Sequence, residues 1–328
     1  MGQTRISGKA KQDDMVAVPH FTDYEDFVII AQRTDMRKVS VKVDASPAGR
    51  MAKALSVSLS MKEVAELRES FLVSFVGSGN QKGRMMLTPV EATTMGERLA
   101  QVLFPGEVSR LLAESLTVLL TGSNRGLRIR LAMDDSLLDL PWEYVYRPDR
   151  LARRGVSGFL LLDPAISMVR HAADARIRLE PIAGRQRLAF VGTLREGEKD
   201  GWEVRKEFDL LRQALKPVAH YIQPDFAVAS SAKSLRSKHP GHAAIFHYAG
   251  HCDFDASGRA FLLRELPTSR NLSAEDMLYV DALAPLLARS GTRLAIMSAC
   301  NSGYWAAVKP LLHAGIPAVL GVNGAVAS

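Results

Sequence analysis

The sequence predicts an α/β chain: a mostly parallel sheet flanked by helices, with an α+β accessory region ahead of it. Three observations carry this. Short apolar runs bounded by turn residues recur through the second half of the chain, as buried strands do. Stretches of helical spacing separate them, and strands alternating with helices build a parallel sheet covered on both faces. The opening stretch differs, with alternating strand patterns followed by three helical ones.

Composition narrows the class. The chain has 328 residues, enough for one large domain or two modest ones. At 47% apolar it can bury a sizeable core, and 23% charged residues argue against overall disorder. No run approaches about 18 apolar residues, so neither a transmembrane helix nor a membrane partner is expected. The amino terminus, M-G-Q-T-R-I-S-G-K-A-K-Q-D-D, lacks the apolar core of a signal peptide. Ser7 falls one place beyond the position that a myristoylation signal needs. Residues 1–15 read as a disordered tail. Two cysteines make no disulfide framework and fit a reducing cytoplasm, the expected location. The net charge of +7 comes from scattered Lys and Arg, so no direct nucleic-acid site is expected.

Taken in order, 22–33 and 37–45 read as strands. In the second, Val39, Val41 and Val43 share a face opposite Lys38, Lys42 and Asp44. The segment 61–76 carries Val64, Leu67, Phe71 and Leu72 at helical spacing. The Gly77–Gly83 stretch has two leading glycines but misses both phosphate-loop fingerprints, so it reads as a loop. Two more helices, 89–104 and 107–120, are split by Pro105-Gly106. Strands follow at 126–133, 159–162, 166–170, 187–191 and 218–222, with helices at 202–215 and 230–238. The remainder reads as a strand at 243–248, a strand at 259–264, a helix at 273–288, a strand at 294–297, a helix at 304–314 and a strand at 316–322.

Two of these strands end in chemistry. The run R-L-A-I-M-S-A-C-N-S-G at 293–303 delivers Cys300 where a buried strand runs out. In open α/β sheets the carboxyl edge of the strands is where ligands bind. About 50 residues upstream, A-A-I-F-H-Y-A-G-H ends on His251, and that spacing is one arrangement of a cysteine nucleophile and its base. A thiolate attacks, and a nearby imidazole takes its proton or lowers its pKa. Alone, a strand Cys is usually a small buried hydrophobe and a strand His a satisfied core residue. Together, at matched strand ends, they point to catalysis. A metal site built from His247, His251 and Cys252 is not expected, because strand residues four apart lie about 13 Å from each other. Ser302 lacks the leading Gly of a serine elbow and reads as a cap after the Cys300 strand.

These motifs resemble a known group. H-Y-A-G-H and M-S-A-C-N-S-G look like the paired motifs of the caspase-like cysteine peptidases. L-P-W-E-Y-V-Y at 140–146, followed by G-F-L-L-L and I-S-M-V-R, specifically resembles the CHAT domain of that group. The resemblance spans about residues 126–322, which suggests a tail at 1–15, an accessory region at 16–125 and a peptidase domain at 126–328. It implies a caspase-like fold, His251 as base or thiol activator, and Cys300 as nucleophile. It also implies an oxyanion site from the backbone N–H groups of Cys252 and Cys300, and Ser298 lining the substrate pocket. No cofactor and no metal are implied.

This chain departs from the family at two places. Cys252 stands where the family usually has Gly, and the fold is expected to be incomplete after A-V-L-G-V-N-G-A-V-A-S. The Cys252 side chain could bridge to Cys300 as a redox lock, or turn into the core; the second is favoured because cytosolic disulfides are rare. Trp142 is expected to be buried and Glu143 to pair with an Arg or a buried donor. The implied function is a regulated endopeptidase, acting on a protein substrate through a thioester and switched on by a sensor or partner protein. A bacterial defence or programmed-death role is also implied. The alternative is a CHAT-like module that binds partners without catalysis.

Overall fold

The computed structural model describes residues 23–72, 87–122, 125–147, 158–172, 183–193, 202–229, 242–263 and 277–322. The tail read at 1–15, the Gly77–Gly83 loop and the helix read at 230–238 lie outside the described residues.

The first half is one sheet with helices on one face. Strands β1 (Tyr24–Arg33), β2 (Lys38–Ala45) and β3 (Leu55–Ser58) form an antiparallel meander. Strands β4 (Gly126–Met133) and β5 (Ile166–Ala172) extend it in parallel from β1, giving the order β3-β2-β1-β4-β5. The sheet therefore joins strands from both sides of the 125/126 boundary read from sequence. Alternation sorts its faces. Phe27, Ile29, Val39, Val41, Val43, Leu127, Ile129 and Leu131 point into a core. That core also receives α1 (Met61–Leu72), α2 (Pro89–Leu103), α3 (Gly106–Gly122) and the one-turn α4 (Asp135–Leu138) through residues such as Val64, Leu99, Val102, Leu111, Leu112 and Leu137. Asp26 lies on the other face and pairs with Arg128 (2.7 Å) and Arg130 (2.9 Å).

The second half is the parallel sheet flanked by helices that the sequence predicts. Its strands are β6 (Gln186–Thr193), β7 (Ile222–Ala229), β8 (Ile245–Ala249), β12 (Leu294–Ser298) and β13 (Ala318–Gly321), in the order β7-β6-β8-β12-β13. The first strand thus sits second in the sheet, and the order reverses between β6 and β8. Both faces are covered, as parallel sheets require. Leu188 and Phe190 pack under α5 (Trp202–Ala214) through Val204, Phe208 and Leu211. The alternate residues Ala189 and Val191 join a larger core with α6 (Val280–Arg289) and α7 (Trp305–His313). A small antiparallel sheet, β9 (His251–Phe254), β10 (Ala260–Leu263) and β11 (Met277–Tyr279), leaves the end of β8. No helix among the described residues is long and apolar enough to cross a membrane.

Four elements differ from the sequence reading. The segment 218–222 is not a strand: a 3₁₀ turn at Lys216–Val218, begun by Leu215-Lys216-Pro217, delays the strand to Ile222. Pro224 is tolerated inside β7 because β7 is the sheet edge. The residues 159–162 form a 3₁₀ turn at Leu160–Leu162 with a single bridge, Tyr146 to Phe159. Within the helix read at 273–288, Met277–Tyr279 pairs with β10 and the helix runs from Val280, while 273–276 lie outside the described residues. Finally, His251 does not end β8; Gly250 breaks the chain there and His251 opens β9.

Candidate active site

Strands β8 and β12 are parallel neighbours in register, with Ile245 opposite Leu294 and Ala249 opposite Ser298. Their small and apolar residues favour this: Phe246, Tyr248, Ala249, Ala295 and Met297 are all buried. Beyond the last pair, the Gly250 N–H donates to the Ser298 carbonyl at 3.1 Å. His251 follows Gly250, and Cys300 follows Ser298 by two residues. Both leave the same carboxyl edge from adjacent strands, which lie about 4.8 Å apart.

The His251 side of the edge is held from beneath. Tyr248 is fully buried, and its hydroxyl donates to the His251 carbonyl at 3.0 Å. Burial pushes the phenol well above its ordinary pKa, so it stays a donor. Gly250 is needed here for space. A Cβ on it would lie 2.1 Å from Thr193 Oγ1 and 2.4 Å from the Tyr248 hydroxyl, both impossible contacts. Thr193 is the last residue of β6, so three parallel strands meet below His251.

The Cys300 side is a strained turn. Asn301 has φ 61°, a left-handed conformation that Asn tolerates better than most residues. Ser302 is buried, with its hydroxyl 2.7 Å from both the Met297 and Ala299 carbonyls, and it accepts from the Val322 N–H at 3.1 Å. It therefore ties the end of β12, the turn and the end of β13 together, and it is not the helix cap read from the sequence, since the residue before the next helix is Tyr304. Gly303 N–H to Val322 O (2.9 Å) and Tyr304 N–H to Asn301 O (3.2 Å) complete the turn before α7.

Cys300 is partly accessible, whereas Cys252 is buried, and neither is in a disulfide. The Cys252 side chain belongs to the core beside Phe246, Tyr248 and Leu262. Burial pushes its thiol up to about 12, with Asp253 and Cys300 adding to the rise. Burial thus keeps the Cys252 thiol neutral. His247 points elsewhere: its Nε2 lies 2.9 Å from Glu207 Oε1 on α5, and its ring packs on Phe190. Among the described residues no three His, Cys, Asp or Glu side chains are grouped to hold a metal.

The 140–146 segment lies in the first half and is structural in its contacts. Trp142 has no exposed surface, and its Nε1–H donates to the Leu137 carbonyl at 2.8 Å. Glu143 pairs with both terminal nitrogens of Arg170, Oε2 at 2.7 Å from Nη2. Asp139, just ahead of this segment, was not singled out by the sequence. Its Oδ1 accepts from the Trp305 N–H at 2.5 Å, at the start of α7. The available signal was a charge inside the apolar run L-L-D-L-P-W, but its partner is 166 residues away.

The family model described as the CHAT domain matches residues 93–328. The chain belongs to the CHAT domain family. It is thereby a relative of the caspase-like cysteine peptidases, and the parallel sheet with flanking helices agrees with that fold. The CHAT match begins inside α2 and takes in β4 and β5 as well as β6 to β13. Comparison with curated proteins gives no match.

Proposed function

We propose that this CHAT protein is a cysteine endopeptidase in which Cys300 is the nucleophile and His251 the base. The observation that carries the reading is the register of β8 with β12, from which both residues leave one carboxyl edge side by side. The partial exposure of Cys300 and the burial of Cys252 support assigning the attack to Cys300. His251 takes the Cys300 thiol proton, and the sulfur attacks the peptide carbonyl carbon. The resulting oxyanion accepts from the Cys252 and Cys300 N–H groups, and Ser298 lines the pocket beside it. Collapse breaks the C–N bond, and the amine leaves with the proton from His251. Water then hydrolyses the Cys300 thioester, returning the proton to the dyad. The substrate is a protein. Regulation by a sensor or partner protein, a cytoplasmic location and a bacterial defence or cell-death role follow from the same family reading.

The test is labelling with a peptide electrophile directed at cysteine, read by peptide mapping, together with a cleavage assay. Label on Cys300, and loss of both label and cleavage in a folded Cys300→Ala variant, are expected. A wild type that neither labels nor cleaves, with or without partner proteins, would support the non-catalytic binding module instead. Cleavage retained by Cys300→Ala would exclude the nucleophile.

A further inference from the structure

We propose that Asp139 is a positioning residue for the Cys300 turn, capping helix α7 from the other half of the molecule. The proposal rests on the peptidase reading of Cys300. Helix α7 begins five residues after Cys300, and the first N–H groups of a helix have no partner within it. Ser, Thr, Asp or Asn usually supplies the acceptor from the preceding position. Here that position is Tyr304, whose side chain makes no cap. The acceptor is instead Asp139 Oδ1, 2.5 Å from the Trp305 N–H.

Asp139 is built for this place. Only 12% of its side chain is exposed, and its second oxygen lies 3.2 Å from Arg68 Nη2 on α1. Burial raises its pKa, opposed by the Trp305 N–H and by the charges of Arg68 and Arg170. Arg170 also donates to the Leu140 carbonyl at 3.0 Å and pairs with Glu143, so the chain on either side of Pro141 is fixed to β5. One helical turn before Asp139, Asp135 pairs with Lys309 of α7 at 2.5 Å. The Trp305 ring packs against the core of the first half. Helix α7 is therefore seated at its first residue and again one turn later. The chain from Tyr304 back to Cys300 is short and stitched, so a shift of α7 moves the sulfur. A misplacement of about 1 Å is enough to cost about 100-fold in rate.

The test uses the full chain with Asp139→Asn, Asp139→Gln and Asp139→Ala. Asn keeps an acceptor at the same reach, Gln carries it about 1.5 Å further, and both remove the charge. Positioning predicts Asn within about 3-fold of wild-type kcat, and Gln and Ala lower by about 10-fold or more with KM little changed. Equal kcat for Asn and Gln, per folded molecule, would overturn the proposal even if Ala does not fold. The rate of Cys300 alkylation by iodoacetamide is measured on the same series. It should follow the same order, and it reports turn geometry whether or not the wild type cleaves peptides. A flat alkylation series overturns the positioning role; an ordered series with no proteolysis overturns the peptidase reading alone.

Discussion

Tyr248 is buried in the parallel sheet, and its hydroxyl meets both the backbone of the candidate base and the Thr193 side chain. Tyr248→Phe removes both contacts and keeps the ring. A net loss of about 1 kcal/mol in stability is expected by chemical denaturation, with a larger proportional loss of proteolysis as the His251 backbone loosens. Wild-type activity in the Phe variant would mean that Gly250 and the β8–β12 register suffice to hold His251. The positions of His251 and Cys300 are legible in sequence because each ends a short apolar run, and strand ends are local features. Asp139 is not, because what defines it is a partner on a distant helix. The fate of Cys252 lies between these cases. Its neighbourhood to His251 is local, but the choice between bridge and core depends on β10, which supplies Leu262 opposite it.

Helix α1 gives the clearest pH dependence at the level of an element. Ser60 and Glu63 form a reciprocal cap, Ser60 N–H to Glu63 Oε2 at 2.8 Å and Glu63 N–H to Ser60 Oγ at 3.2 Å. Arg98 on α2 donates to the same carboxylate at 2.7 Å. The Ser60 N–H, against some burial and with help from Arg98 and the Ser60 hydroxyl, holds Glu63 below its ordinary value of 4.5. A carboxyl whose folded pKa is depressed stabilises the fold above its unfolded pKa and loses that as pH falls through the folded value. Glu63→Gln should therefore be less stable than wild type at neutral pH, and the gap in denaturation midpoint should close below pH 4.5. A gap independent of pH would assign the effect to packing. Elements read correctly from sequence are those whose signal is internal, such as α2 with its Thr88–Glu91 capping box. Those misread, at 159–162, 218–222 and 277–279, are short apolar stretches, where strand, 3₁₀ turn and helix start share one pattern. Pairing partners decide among them, and those are remote.

The whole molecule has a separate core in each half, joined where α7 meets the 134–139 turn. The parallel order β7-β6-β8-β12-β13 follows from alternating strands and helices, so its class was readable. The membership of β4 and β5 in the first sheet was not, because a strand's sequence does not say which neighbour it will take. That membership makes a physical prediction about where the chain can be cut. Strand β4 pairs with β1 along its whole length, from Tyr24 opposite Gly126 to Ala31 opposite Met133. Separating 1–125 from 126–328 would strip β4 of β1 and uncover Leu127, Ile129, Leu131 and Trp142, all without exposed surface in the intact chain. An open apolar sheet edge of that length is an aggregation site. Residues 126–328 expressed alone should be insoluble or associated, whereas the two pieces made together should recombine. A cut between β5 and β6 leaves both sheets whole, and residues 1–182 should then be soluble and melt cooperatively. Size-exclusion chromatography with thermal denaturation distinguishes these outcomes. A monomeric, cooperatively melting 126–328 fragment would show that β4 and β5 can find their fold without β1.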